Sequence, residues 1–163
     1  MKQTSLDIPV SIFSETDILA LPDAALLQSA RKATLHAYAP YSNFRVGVAV
    51  LLENGEVVTG SNQENASYPA GLCAERVALS AASSLFPGIA VTDLALSYKN
   101  DSGSSNHPIS PCGICRQTLA EYEQRSGHSI RLLLGGETGE VYIIRRATDL
   151  LPFAFTRQEL IPE

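Results

Sequence analysis

Two short stretches of this 163-residue chain bring together residue types that could do chemistry. One is Cys73-Ala74-Glu75 and the other is Pro111-Cys112-Gly113-Ile114-Cys115. Between them they hold all three cysteines of the chain. An odd number of cysteines is poor material for a disulfide framework, and Cys-x-x-Cys by itself suits a redox pair or half of a metal site. The third cysteine decides for metal. Three thiolates around one point suit zinc, and three protein ligands leave a fourth position for water, the arrangement of a catalytic site. No further cysteine is present to close the shell, and His36, His107 and His128 lack a spacing that would add one.

Each stretch opens a predicted helix. A helix presents its end at the first turn, so Cys73 and Glu75 can both approach a point beyond that end, and Cys112 and Cys115 can pinch one atom. Two helix N-termini aimed at one place supply positive dipole ends and free N–H groups, which favour thiolate. Water activated by a metal needs a group to move its protons, and Glu75 is the candidate general base and acid. A lone Glu in a first turn ordinarily just complements the helix dipole, and Cys-x-x-Cys alone says little. The combination, in this order, carries the reading. Arg76 follows from charge. Zinc with three thiolates carries a net negative charge and is a weakened Lewis acid, which a guanidinium bonded to the sulfurs would correct.

The elements that must position these residues are legible in the pattern. Asp23 is a candidate N-cap for a helix with apolar positions from Ala24 to Ala37, closed by Pro40. Val46 to Leu52 and Val57-Val58 flank Asn54-Gly55, a strong hairpin signal. Residues 70–85 read as a helix, Thr92–Tyr98 as a buried strand, 99–110 as a surface loop, and Cys112 to Arg125 as a helix ending near Gly127. Ile130–Leu134 and Glu140–Ile144 read as strands whose link is too short for a parallel crossover, so they should be antiparallel. The expected fold is α/β, with three layers and a mixed sheet of about five strands covered by helices on both faces. Residues 1–22, interrupted by Pro9 and Pro22, read as an N-terminal extension packed on a single domain of residues 23–163.

A formal charge of −5 with scattered basic residues argues against a nucleic-acid partner. No stretch approaches the ~20 apolar residues of a membrane span, and Met1-Lys2-Gln3-Thr4 does not read as a secretory signal, so a cytoplasmic location is expected.

A metal ligand-x-Glu followed by Pro-Cys-x-x-Cys is the signature described for zinc deaminases, three-cysteine forms included. The chain resembles the cytidine deaminase family, specifically its small, homotetrameric, three-cysteine branch. The similarity runs from about Leu27 to Phe155 and rests on APYSNFRVG, SNQENASYPAGLCAER, SPCGICRQ and LLPFAF. It implies one zinc per subunit held by Cys73, Cys112 and Cys115, with Glu75 as proton shuttle. It implies hydrolysis of free cytidine or 2′-deoxycytidine to the uridine form plus ammonia, a reaction of pyrimidine salvage. Asn62 and Glu64 match residues that hold the ribose; a grip on a free 3′-hydroxyl would reject polymers. Phe44 matches a position against the pyrimidine, and Phe155 a stacking lid from a neighbouring subunit, so active sites would be shared in the tetramer. The link at 135–139 also differs from nucleic-acid deaminases that resemble this fold, which join these strands through a helix. An aminonucleoside of the blasticidin type is the alternative substrate. Two features depart from the pattern: the first ~20 residues, which precede the usual first helix, and Phe153, where a small residue is common.

Overall fold

The structure, a computed structural model, describes residues 1–19 and 22–160. Residues 20–21 of the expected extension and 161–163 of the expected domain lie outside the described residues. The strands are β1 (Val10–Phe13), β2 (Phe44–Leu52), β3 (Val57–Ser61), β4 (Val91–Asn100), β5 (Arg131–Gly135) and β6 (Val141–Ile144). The helices are α1 (Glu15–Leu19), α2 (Asp23–Ala33), α3 (Ala74–Leu85) and α4 (Gly113–Ser126), with short 3-10 turns between them.

The strands form one mixed sheet in the order β1-β6-β5-β4-β2-β3. β2 and β3 pair across the Asn54-Gly55 turn, where Gly55 takes φ 86, and β5 and β6 are antiparallel. β4 and β5 are the parallel pair, joined through α4 as a crossover of that kind requires. The sheet has six strands where the sequence suggests about five. The extra strand is β1, from the N-terminal extension, which pairs antiparallel with β6. Its exposed residues form a strand because the β6 edge offers backbone partners, a tertiary cause that leaves no local pattern.

Helices cover both faces. On one, Leu26, Leu27 and Ala30 of α2, with Ile18 of α1, pack on Ala49, Ala95, Leu133 and Val141. On the other, Ala78, Leu79 and Ala82 of α3 and Leu119 of α4 pack on Val48, Val50, Leu94, Leu96, Leu132 and Leu134. The central strands are therefore apolar on both sides, as doubly covered strands must be.

Two glycines bring helices into backbone contact with the sheet. A Cβ at Gly47 would stand 2.2 Å from the carbonyl oxygen of Ala30, a contact no side chain tolerates. One at Gly60 would stand 2.5 Å from the Ala78 nitrogen and 2.8 Å from the Ala74 oxygen, so the first turns of α3 rest directly on β3. Gly60→Val is expected to lower stability by ~3 kcal/mol, the upper range for overpacking, read as a lower urea midpoint at unchanged slope.

Candidate active site

Cys73 and Cys112 occupy the positions just before α3 and α4, with extended backbone at φ −72 and −66, and both helices begin with their positive ends toward the sulfurs. The Cys73 and Cys112 Sγ atoms are 3.7 Å apart, and Cys112 and Cys115 Sγ are 3.4 Å apart. All three sulfurs lie within 4.8 Å of one another, and among the described residues no His, Asp or Glu joins the group. Tetrahedral zinc with Zn–S bonds of ~2.3 Å sets its sulfurs ~3.8 Å apart, so the donors are of the right type and the two edges through Cys112 are of the right size. The cysteine turn is held in place by Arg116, whose Nε donates to the Pro111 carbonyl at 2.8 Å and whose Nη1 donates to Leu150 O at 3.3 Å.

The cluster's electrostatics favour thiolate at Cys73 and oppose it at Cys115. The Cys73 thiol is held down to about 5 by the neighbouring thiols of Cys115 and Cys112 and by the positive Arg76 guanidinium. Cys115 is pushed up, because its proton is committed to Cys73 and the site is buried. A divalent cation among the sulfurs removes that penalty, since coordination replaces the proton. Arg76 points into the same place. Its Nη2 donates to Gly71 O at 3.0 Å, and its Nε is buried with no hydrogen-bond partner among the described residues. A buried guanidinium N–H facing thiolates is a donor suited to sulfurs made electron-rich by coordination.

Glu75, in the first turn of α3, is only 4% exposed. Its carboxyl is raised from the ordinary value chiefly by burial and further by the negative charge at Cys73. A carboxyl held in that condition is suited to carrying a proton both ways.

Glu75, Cys73 and Cys112 open onto a cavity of about 580 Å³, the size range of small-ligand sites. Phe44, Asn62 and Glu64 line the same cavity. Residues far apart in sequence thus share one chamber. Phe44 follows Asn43, whose φ of 56 turns the chain sharply before β2. The carboxylate of Glu64 accepts from the Tyr41 and Ser42 backbone N–H groups at 2.8 and 3.3 Å and from the Ser42 hydroxyl. These bonds, the hydroxyl's first, hold its carboxyl below the usual range.

Asn62 lines the cavity while also bonding the backbone of β2. Its Nδ2 donates to Phe44 O at 2.9 Å and its Oδ1 accepts from Val46 N at 2.8 Å, so the amide continues the β3 side of the ladder along β2. One N–H of the amide stays free for a ligand. Ser42 and Tyr41, which position Glu64, were not singled out in the sequence. The signal for them was adjacency, since they stand inside the same APYSNFRVG segment as Phe44.

Phe155 does not line the cavity of its own chain. It is 59% exposed, and its carbonyl accepts from Gln117 Nε2 at 2.7 Å. Phe153 beside it is 89% exposed. Of the three histidines, His107 lies against Tyr98 and none joins the sulfurs. No helix among the described residues is long and apolar enough to cross a membrane.

The family profile of the cytidine and deoxycytidylate deaminase zinc-binding region matches residues 22–126. The chain belongs to this deaminase family. The cytidine deaminase of Halalkalibacterium halodurans is 38% identical over 135 residues, 83% of this chain and 95% of that protein. The cytidine deaminase of Mycobacterium tuberculosis is 40% identical over 135 residues, 81% and 88% of the two chains. The crystal structure of the Burkholderia pseudomallei cytidine deaminase superposes with a TM-score of 0.71 at 39% identity, covering 83% of this chain and 100% of that one. As a zinc deaminase, the chain has Cys73, Cys112 and Cys115 as the group able to hold the metal.

Proposed function

We propose that this chain hydrolyses free cytidine or 2′-deoxycytidine to the corresponding uridine and ammonia. One observation carries the reading. The buried Glu75 carboxyl and two corners of the three-thiol group, Cys73 and Cys112, open onto a cavity that also presents Glu64, Asn62 and Phe44. The reaction adds water and releases ammonia at C4 of the ring. Zinc, when held by Cys73, Cys112 and Cys115, supplies hydroxide at neutral pH by lowering the pKa of its water.

The protein's own groups do the rest. Glu75 accepts one proton as water adds at C4 and delivers it to the ring nitrogen N3; it then accepts the second proton, from the C4 hydroxyl as that becomes the carbonyl, and delivers it to the departing amine, so the carboxylate is regenerated each cycle. Arg76 donates to the thiolates and withdraws charge from them. Phe44 places a flat apolar face against the pyrimidine. Glu64, charged and already oriented by Ser42 and Tyr41, accepts from the ribose 3′-hydroxyl, with the free N–H of Asn62 beside it. A site that requires a free 3′-hydroxyl selects nucleosides over polymers, in agreement with the formal charge of −5.

The active unit on this reading is a homotetramer, one zinc per subunit, in which Phe155 of one chain closes the cavity of another. Its exposure on its own chain supports this. Residues 23–163 then form the deaminase domain and 1–22 an extension that lends it a strand. Three thiols kept reduced suit the cytoplasm.

The test is ammonia release from cytidine and deoxycytidine, followed with ultraviolet absorbance, before and after a zinc chelator. The expected result is one ammonia per uridine formed, loss of activity with the chelator, and recovery on adding zinc. Absence of ammonia from both nucleosides by zinc-loaded protein would overturn the proposal, and so would conversion of cytosine in an oligonucleotide while free cytidine is left intact.

A further inference from the structure

Behind Phe44 lies a residue that no part of the mechanism uses. Tyr98, on β4, is 1% exposed and does not line the cavity. It stands on the same face of the sheet as Phe44, since Val46 pairs with Tyr98 and Phe44 with Asn100. Diagonal cross-strand neighbours two residues apart are within reach of aromatic rings. Here the rings stack, with centroids 4.9 Å apart and planes 18° from parallel. Phe44, which lines the cavity, is thus backed by a ring that does not.

The far end of Tyr98 is anchored. Its hydroxyl lies 3.0 Å from Nδ1 and 3.3 Å from Nε2 of His107, so either ring nitrogen can serve as its partner. His107 belongs to the segment that leads through Ile109 and Ser110, both cavity-lining, into Pro111-Cys112. That segment is itself fixed to the sheet. The Ser105 hydroxyl accepts from Asn100 N at 2.8 Å, the Ser105 carbonyl accepts from Thr138 N at 3.2 Å, and Gly136 lets the two backbones meet. One buried tyrosine is therefore tied to two parts of the chamber's lining, directly to Phe44 by stacking and to the Ile109–Ser110 segment through His107.

We infer that Tyr98 is a positioning residue, with His107 as its brace, that fixes the plane of Phe44 and with it the affinity for the pyrimidine base. The inference rests on the deaminase reading above, in which Phe44 faces that base. A stacked pair loses little on binding, because the ring that must meet the substrate is already held in orientation. Tyr98 has no path to the proton transfers, so its effect belongs in binding and not in the chemical step.

The experiment measures cytidine KM and kcat, together with equilibrium binding of uridine by calorimetry, on zinc-loaded protein. Tyr98→Leu is expected to raise KM and the uridine dissociation constant together by about 3- to 10-fold, with kcat within about twofold of wild type. Tyr98→Phe keeps the stack and loses the anchor. It and His107→Ala are each expected to raise KM about 2- to 3-fold, with no further rise in the double variant, because both remove the same bond. A folded Tyr98→Leu protein with unchanged KM and uridine affinity overturns the inference. If that variant does not fold, an unchanged KM in Tyr98→Phe overturns it instead.

Phe44→Ala separates the two levels. If it weakens uridine binding while Tyr98→Leu does not, the deaminase reading stands and the role of Tyr98 falls. If Phe44→Ala is itself without effect, Phe44 does not meet the base, and the inference falls although turnover persists. Wild-type protein that neither converts cytidine nor binds uridine removes both.

Discussion

Glu75→Ala is expected to retain its zinc and its fold while losing turnover of cytidine by ~10²–10⁴-fold or more, the range for positioned acid–base catalysis. Metal content by atomic emission, circular dichroism and kcat on the same preparation check the three parts. The size of the effect follows from the lack of a substitute. Among the described residues the carboxylates lining the cavity are Glu75 and Glu64, and Glu64 already accepts from Ser42 and Tyr41. Stability should hardly change, because burial already disfavours the charged form and the side chain's removal deletes that penalty. Glu75→Gln, similar in shape but unable to accept the proton, should be as inactive as Glu75→Ala. Turnover near wild type in either folded variant would refute the assignment.

Cys112→Ala should act by the opposite route, with activity lost because the metal is lost. Of the three cysteines it is the cleanest to remove. Cys112 is exposed and lies before α4, whereas Cys115 is buried in the packing of α4. Losing one of three ligands should weaken zinc binding by more than the ~10–100-fold typical of an outer hydrogen-bonding partner. Dialysed Cys112→Ala protein should therefore hold well under one zinc per chain, give native-like circular dichroism, and turn over cytidine at background. Full zinc occupancy in this variant would show that the sulfur triangle is not the metal site. The pair of variants separates proton transfer from metal binding, since Glu75→Ala keeps what Cys112→Ala gives up.

The chemistry was more legible in the sequence than the scaffold that aims it. Cys73, Cys112 and Cys115 could be read as a metal group because ligation needs particular side chains at a particular spacing, and the helix starts that carry them are local features. The hairpin at Asn54-Gly55 and the antiparallel β5–β6 pair were legible for the same reason, since a turn and a short link constrain their neighbours directly. Asn62 shows the limit. As a residue type it announces hydrogen bonding, but the sequence does not say that two of its bonds are spent on Phe44 and Val46. Tyr98 was read as the end of a buried strand, and its stack on Phe44 depends on the β2–β4 register. β1 is the furthest case. Val10, Ser11 and Ile12 are all exposed, so no burial pattern marks them as a strand.

That sixth strand has a consequence for how the molecule behaves in company. Without it, β6 would present the unpaired amides and carbonyls of Val-Tyr-Ile-Ile to any passing chain, a segment of high β propensity with no charge. The N-terminal arm shields that template, and Pro9, lacking an N–H, stands immediately before the arm's own short strand. Glu15 pins the arm down by accepting from Gly139 N at 2.9 Å and pairing with Arg31 at 3.1 Å. Shortening the chain from its N-terminus would therefore leave the catalytic groups untouched and yet make the protein sticky, and the damage would be seen in precipitation well before it was seen in turnover.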